Sequence, residues 1–200
     1  YDNLHKKILF GLNLNNYFCD IKKKYIMSEQ TEEAKRQAKP VAPKVKELIA
    51  KTLSVTLATV DAEGTPNASY APFVEIDNKF YILVSFMAKH TKNLSEGRKV
   101  SAMFIEDESA TKQVYARERL TVEVSTSQIE RDSADWTNVV GQLKERHGKI
   151  VDVLNEITDF ILVALHPVKG AYVNGFGSAY FVDQNLEIME HRNDINHTQK

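Results

Sequence analysis

Only one cysteine, Cys19, stands in the 200 residues, so no disulfide can form within the chain and the composition suits a reducing compartment. No apolar run approaches the ~18–20 residues that a bilayer-spanning helix needs. The strongest early candidate, "ILFGLNL", is interrupted by Asn13, Asn15 and Asn16. An excess of one charge is also missing: 26 Lys and Arg face 27 Asp and Glu, for a net charge of −1, which leaves no whole-chain basic field for nucleic acid or an anionic membrane. There is no HExxH or Cys/His zinc spacing, no serine or cysteine nucleophile motif and no internal repeat. The triplets "NAS", "NLS" and "NHT" match the glycosylation acceptor pattern, but no secretory signal accompanies them. These absences lead us to expect a cytoplasmic chain that neither enters a membrane nor binds nucleic acid.

What is there is an ordinary globular composition, 42% hydrophobic and 26% charged, enough for one sizeable core. Residues 1–26 are Lys- and Asn-rich and precede Met27, which resembles a start, so we expect an extension outside the fold. Residues 27–42 form a charged arm, 43–183 the domain, and 184–200 a polar C-terminal tail. "PKVKELIAKT" predicts a short helix with Pro43 in its first turn. "LSVTLATVD" and "ASYAPFVEI", joined by "AEGTPN", predict a hairpin, and "DNK" turns the chain into "FYILVSF". "AKHTKNLSEG" and "ESATKQVYAR" read as short helices around the strand "KVSAMFIED". The strand "RLTVEVSTSQIE" precedes a helical pair, capped by Asp132 or Ser133 and broken at His147-Gly148. "FILVALHP" and "GAYVNGFGSAYFV" close the pattern as strands. Six or seven strands without βαβ alternation argue for a mainly β fold, an antiparallel barrel or closed sheet with peripheral helices.

Four stretches could carry chemistry. In "MAKHTKN", Lys89, His90 and Lys92 arrive at a helix start, where they would hold a phosphate or carboxylate or simply form a solvated face. In "YARERL", Arg117 and Arg119 alternate around Glu118, which suits either a dianionic ligand or a surface ion-pair ladder. Gly170, Gly175 and Gly177 interrupt a strand pattern, which marks a bulge or a close approach to the backbone. The tail "MEHRNDINHTQK" carries His191 and His197 with no apolar periodicity to fold it. His147 suits a helix C-terminus, and His166 precedes Pro167 at a strand end.

Taken together, "LATVDAEGTPNASYAPFV", "MAKHTKNL", "IEDESATKQVYARERLT", "ERDSADW" and "GFGSAYFV" resemble the HutZ/HugZ family of haem-utilisation proteins, collinearly from about Met27 to the end. The resemblance implies the split β-barrel of pyridoxamine 5′-phosphate oxidases. It also implies a homodimer that binds haem b in a cleft between subunits and degrades it with electrons from an external donor or reductase. By the same resemblance His197 is the axial ligand of the haem iron and His191 a second tail histidine. Asp159 touches the axial histidine across the dimer, His90 and Arg119 are polar groups of the haem site, and Trp136 lies near it. Lys92 and Arg119 would neutralise the propionates. Relatives read Gly-His-Arg at the ligand, where this chain has Asn196-His197-Thr198. Two other readings remain: an FMN-dependent oxidoreductase of the same fold, with the flavin phosphate held around His90 and Arg119, and a non-catalytic haem carrier or storage protein.

Overall fold

A computed structural model of the chain describes residues 41–191. The proposed extension 1–26, most of the charged arm and the axial-ligand candidate His197 lie outside the described residues. Helix α1 (Ala42–Lys51) has proline in its first turn, as expected, and buries Val45, Leu48 and Ile49. Strands β1 (Ser54–Val60) and β2 (Pro66–Pro72) form the expected hairpin. In β1 the inward positions Val55, Leu57 and Thr59 alternate with outward ones, as a half-buried strand requires. After Phe73, the short β3 (Val74–Ile76) turns through Asp77 and Asn78, at φ 53 and 60, into β4 (Lys79–Ser85). Positive φ at both central residues matches the right-handed twist of a tight hairpin.

Next come helix α2 (Lys89–Ser95), strand β5 (Val100–Ile105) and the long β6 (Arg119–Ile129). Helix α3 (Ala134–His147) is capped by Ser133, whose hydroxyl accepts the Trp136 N–H at 3.1 Å, and stops at Gly148, at φ 83. Helix α4 (Ile150–Glu156), β7 (Phe160–Val173), β8 (Ala179–Val182) and β9 (Ile188–His191) complete the described chain. Seven strands run in the antiparallel order β2-β1-β5-β6-β7-β4-β3, with β8 and β9 added beside β7. β2 also approaches β4, so the sheet curls on itself as a half-barrel. That is the split-barrel architecture expected.

Two apolar clusters hold it. The interior one centres on Phe73, Phe80 and Phe104, whose rings lie 4.4–5.8 Å apart between centroids. A second cluster lies where the helical pair covers the outer face of β3, β4 and β7: Trp136, Val139, Leu143 and Val151 pack on Val74, Leu83 and Leu162. Each fully buried side chain of this size contributes on the order of 1.5–3 kcal/mol.

Four local expectations change. "ESATKQVYAR" is not a helix: it breaks into turns and one 3₁₀ turn at Val114–Ala116. Val114 and Tyr115 are exposed there, so a helix would bury no apolar face, and short helices depend on such burial. "FILVALHP" and "GAYV" are one strand, because Pro167 sits at a register shift opposite Glu123 and Val124, where a missing N–H costs no ladder bond. Gly175 and Gly177 lie outside the strands, at φ 108 and 68 in the β7–β8 turn. Part of the expected tail is also folded: Leu186 is buried and Ile188–His191 pairs with β8.

Candidate functional site

The candidate residues fall at the two ends of β7. At its start, Asp159 is half-buried and is held by Ser85 of β4, whose hydroxyl donates to Oδ2 at 2.6 Å. The Met87 N–H donates to the same Ser85 oxygen at 3.1 Å, which aims the hydroxyl proton at the carboxylate. The Phe86 N–H donates to the Asp159 carbonyl at 3.0 Å. Beside this carboxylate the side chains of Phe86 and Met87 are exposed, an apolar surface next to an acceptor.

Just beyond, the "MAKHTKN" stretch does not assemble the anion cradle its cations suggest. Lys89 pairs with Asp61 at 3.2 Å, His90 turns into the barrel, and Lys92 points outward. The His90 Nε2 is buried without a hydrogen-bond partner among the described residues. Desolvation lowers its pKa, so the ring is neutral near pH 7 and offers an anion no charge. Its helix-mates are tied into the fold: Thr91 Oγ1 donates to the Ser85 carbonyl at 2.6 Å, and Asn93 Nδ2 donates to Thr59 Oγ1 at 3.0 Å.

At the far end of β7, Arg119 lies in a cross-strand row with Ile105, Val173 and Ala179 on the outer face of the sheet. Its Nη1 donates to the Arg117 carbonyl at 3.2 Å. The expected ladder through Glu118 is absent: Arg117 pairs with Glu108 at 2.8 Å and with the Glu106 carbonyl, while Glu118 accepts a short hydrogen bond from the buried Tyr172 hydroxyl. Burial, then this bond, push the Tyr172 phenol pKa far up. Next to Arg119 opens a cleft of about 750 Å³, lined by Leu48, Leu53, Ile105, Lys51, Arg117 and Glu118, among others. Its size is within the range of pockets that take a cofactor.

His191 belongs to this second end. Its ring meets Tyr180 edge-on at 5.0 Å, and its Nε2 lies 3.0 Å from the Gly177 carbonyl. A carbonyl only accepts, so that nitrogen carries the proton and is engaged. Trp136 lies at the first end, buried in α3, with Nε1 donating to Asn155 Oδ1 at 2.9 Å.

Within one copy, then, Asp159, Ser85, His90 and Trp136 gather at one end, and Arg119, the cleft and His191 at the other. The two are separated by the 14 residues of β7, on the order of 40 Å of strand at ~3.3 Å per residue. Three groups went unnoticed in the sequence: Ser85, Arg131, which reaches three backbone carbonyls, and the Glu118–Tyr172 pair. Only the "SF" ending of a strand and the lone "ER" before the helical pair hinted at the first two. Among the described residues no cluster of three His, Cys, Asp or Glu side chains could hold a metal ion, and no helix is long and apolar enough to cross a membrane.

Comparison with known proteins places the fold. The pyridoxamine 5′-phosphate oxidase family matches residues 41–174. The chain is 44% identical over 156 residues to the haem oxygenase HutZ of Vibrio cholerae, an alignment that covers 78% of this chain and 88% of that protein. A crystal structure described as HutZ, the haem storage protein from Vibrio cholerae, superposes with a TM-score of 0.63 at 46% identity, over 68% of this chain and 95% of that one. The crystal structure of Campylobacter jejuni ChuZ superposes with a TM-score of 0.73 at 30% identity, over 81% of this chain and 66% of that one.

Proposed function

This chain belongs to the HutZ family, with the split-barrel fold of the pyridoxamine 5′-phosphate oxidases, and from that premise we propose that it binds haem at a site built from two copies and degrades it. The observation that carries the reading is the separation of Asp159 from Arg119 along β7. Along a strand of that length one haem would not reach both, whereas a two-fold axis crossing β7 would bring the start of one β7 to the end of the other. The outer face that carries Arg119 is uncovered by helices and leaves Tyr70 69% exposed, an aromatic that a second copy would bury.

The residues present fit the group. A porphyrin is a broad apolar plate with two carboxylates. The cleft offers Leu53 and Ile105 for the plate, with Lys51 and the neighbouring Arg119 for the propionates, while Glu106, Asp107 and Glu118 line it as well. His197 would hold the haem iron, with Asp159 of the second copy, oriented by Ser85, as the acceptor for its other N–H. His191 supports the tail through Gly177 and Tyr180 rather than ligating through Nε2. When bound, haem iron supplies the activation of dioxygen with electrons from an external reductant. Asp159 would keep the ligand imidazole in one tautomer, and Arg119 would hold a propionate. Because a ligating imidazole is neutral, affinity falls as the pH drops below about 6.5.

Adding haem to the purified chain and following the visible spectrum tests this. Binding gives a Soret band, and reductant in air then bleaches it with release of chelatable iron. A stable Soret band under those conditions makes the protein a carrier or store. Flavin bands in the protein as purified would put FMN in first place, although the inward, neutral His90 and the Asp61-bound Lys89 provide little for its phosphate.

A further inference from the structure

Asp159 stands on a short connection between α4 and β7, and one side chain ties the backbone on both sides of it. Arg131, in the turn after β6, donates from Nη1 to the Asn155 carbonyl at 2.9 Å, and from Nη2 to the Ile157 and Phe160 carbonyls at 3.0 and 3.1 Å. The three acceptors bracket Asp159 on both sides. The guanidinium lies 4.6 Å from the centroid of the Trp136 ring, and the Trp136 N–H reaches the Asn155 side chain. No carboxylate pairs with Arg131 among the described residues, so its donors are directed at backbone dipoles alone.

We propose that Arg131 is the positioning residue for the Asp159 carboxylate, acting through the 155–160 backbone with Trp136 as its platform. Two anchors are needed. Ser85 and the Phe86 N–H hold Asp159 from the β4 side, but they fix only that residue. A free 155–160 segment would let the carboxylate rotate off its direction while keeping the Ser85 bond. Arg131 removes that freedom because a planar fork can meet three carbonyls at once, which an ammonium point charge on a flexible stem cannot do with the same geometry.

The inference rests on the proposed role of Asp159 as acceptor for the ligand histidine, and the experiment separates the two. In the haem-loaded ferrous protein, the iron–histidine stretching frequency by resonance Raman reports whether the imidazole N–H meets a charged acceptor. Asp159→Asn should lower it and weaken haem binding about 10–100-fold. Arg131→Ala should lower it in the same direction, Arg131→Lys should lie between, and the Arg131→Ala/Asp159→Asn pair should go no lower than Asp159→Asn alone, since both act on one bond. In the haem-free protein, hydrogen exchange at the Phe86 and Phe160 amides should speed up in Arg131→Ala while amides of β5 keep their protection. If Asp159→Asn shifts the frequency and neither Arg131 variant does, the positioning role is overturned and the haem site stands. If Asp159→Asn itself leaves the frequency unchanged, the acceptor role falls and the inference with it. Should Arg131→Ala fail to fold, Arg131→Lys carries the test: an unchanged frequency with unchanged exchange overturns the inference.

Discussion

The two ends of β7 are built differently. At the start of the strand the groups that hold Asp159 and its backbone are tied: Ser85 from β4, Phe86 and Met87 just after it, Arg131 from the turn after β6, Trp136 from α3. At the far end the sheet opens onto a cleft, the chain turns through Gly175 and Gly177 at positive φ, and Phe176 is left 73% exposed. One end is preorganised and the other is shaped to receive something. A site that uses both therefore needs the rigid end of one copy to meet the open end of another, and stiffness and access are divided between two places on one strand.

The largest effect should come from Trp136→Ala, which empties the centre of the cluster covering the first end and removes the platform of Arg131: about 3–5 kcal/mol of stability by chemical denaturation. Loss of protection concentrated in 155–160 would sharpen the contrast, and uniform loss would erase it. At the open end, Tyr172→Phe removes a hydrogen bond to a carboxylate that also faces the cleft, and should cost about 1.5 kcal/mol. Ser85→Ala should cost about 1 kcal/mol in the haem-free protein, read from the same denaturation midpoints, and should weaken haem binding further.

The smallest effect is a pH dependence. Burial lowers the pKa of His90 in the folded state, so below about 6.5 the unfolded chain takes up a proton that the folded one refuses. Stability is then full above about pH 6.5 and falls as the pH drops towards the lowered folded value. His90→Gln should flatten that slope between pH 7 and 5. His166, lowered by burial and then by Lys79, adds a share of the same sign, so the flattening is partial.

Most of the sheet was legible because its strands alternate or run apolar between turn residues, as "LSVTLATVD" and "FYILVSF" do. Ser133 and Gly148 marked the ends of α3 for equally local reasons. What escaped was non-local. Val168 is passed over in the register between Pro167 and Lys169 opposite β6, and nothing in "HPVKG" says that the strand continues through it. Arg131 acts on carbonyls 24 to 29 residues away, and backbone acceptors leave no mark in a sequence. His90 read as a surface cation because "AKHTKN" is polar, whereas α2 packs against β1, β2 and β6 and takes the ring inside. The pairing of Asp159 with Arg119 came from the family resemblance alone, since no spacing within one chain indicates a site that two chains would supply.

Mixing two damaged proteins tests that claim most directly. Asp159→Asn and Arg119→Ala chains, each weak in haem binding alone, are unfolded together, refolded at equal concentration and titrated with haem. If each site takes Asp159 from one copy and Arg119 from the other, random pairing under two-fold symmetry restores about a quarter of the sites to parental affinity. If each site is formed within one copy, no tight-binding fraction appears in the mixture, and the two-copy site is contradicted.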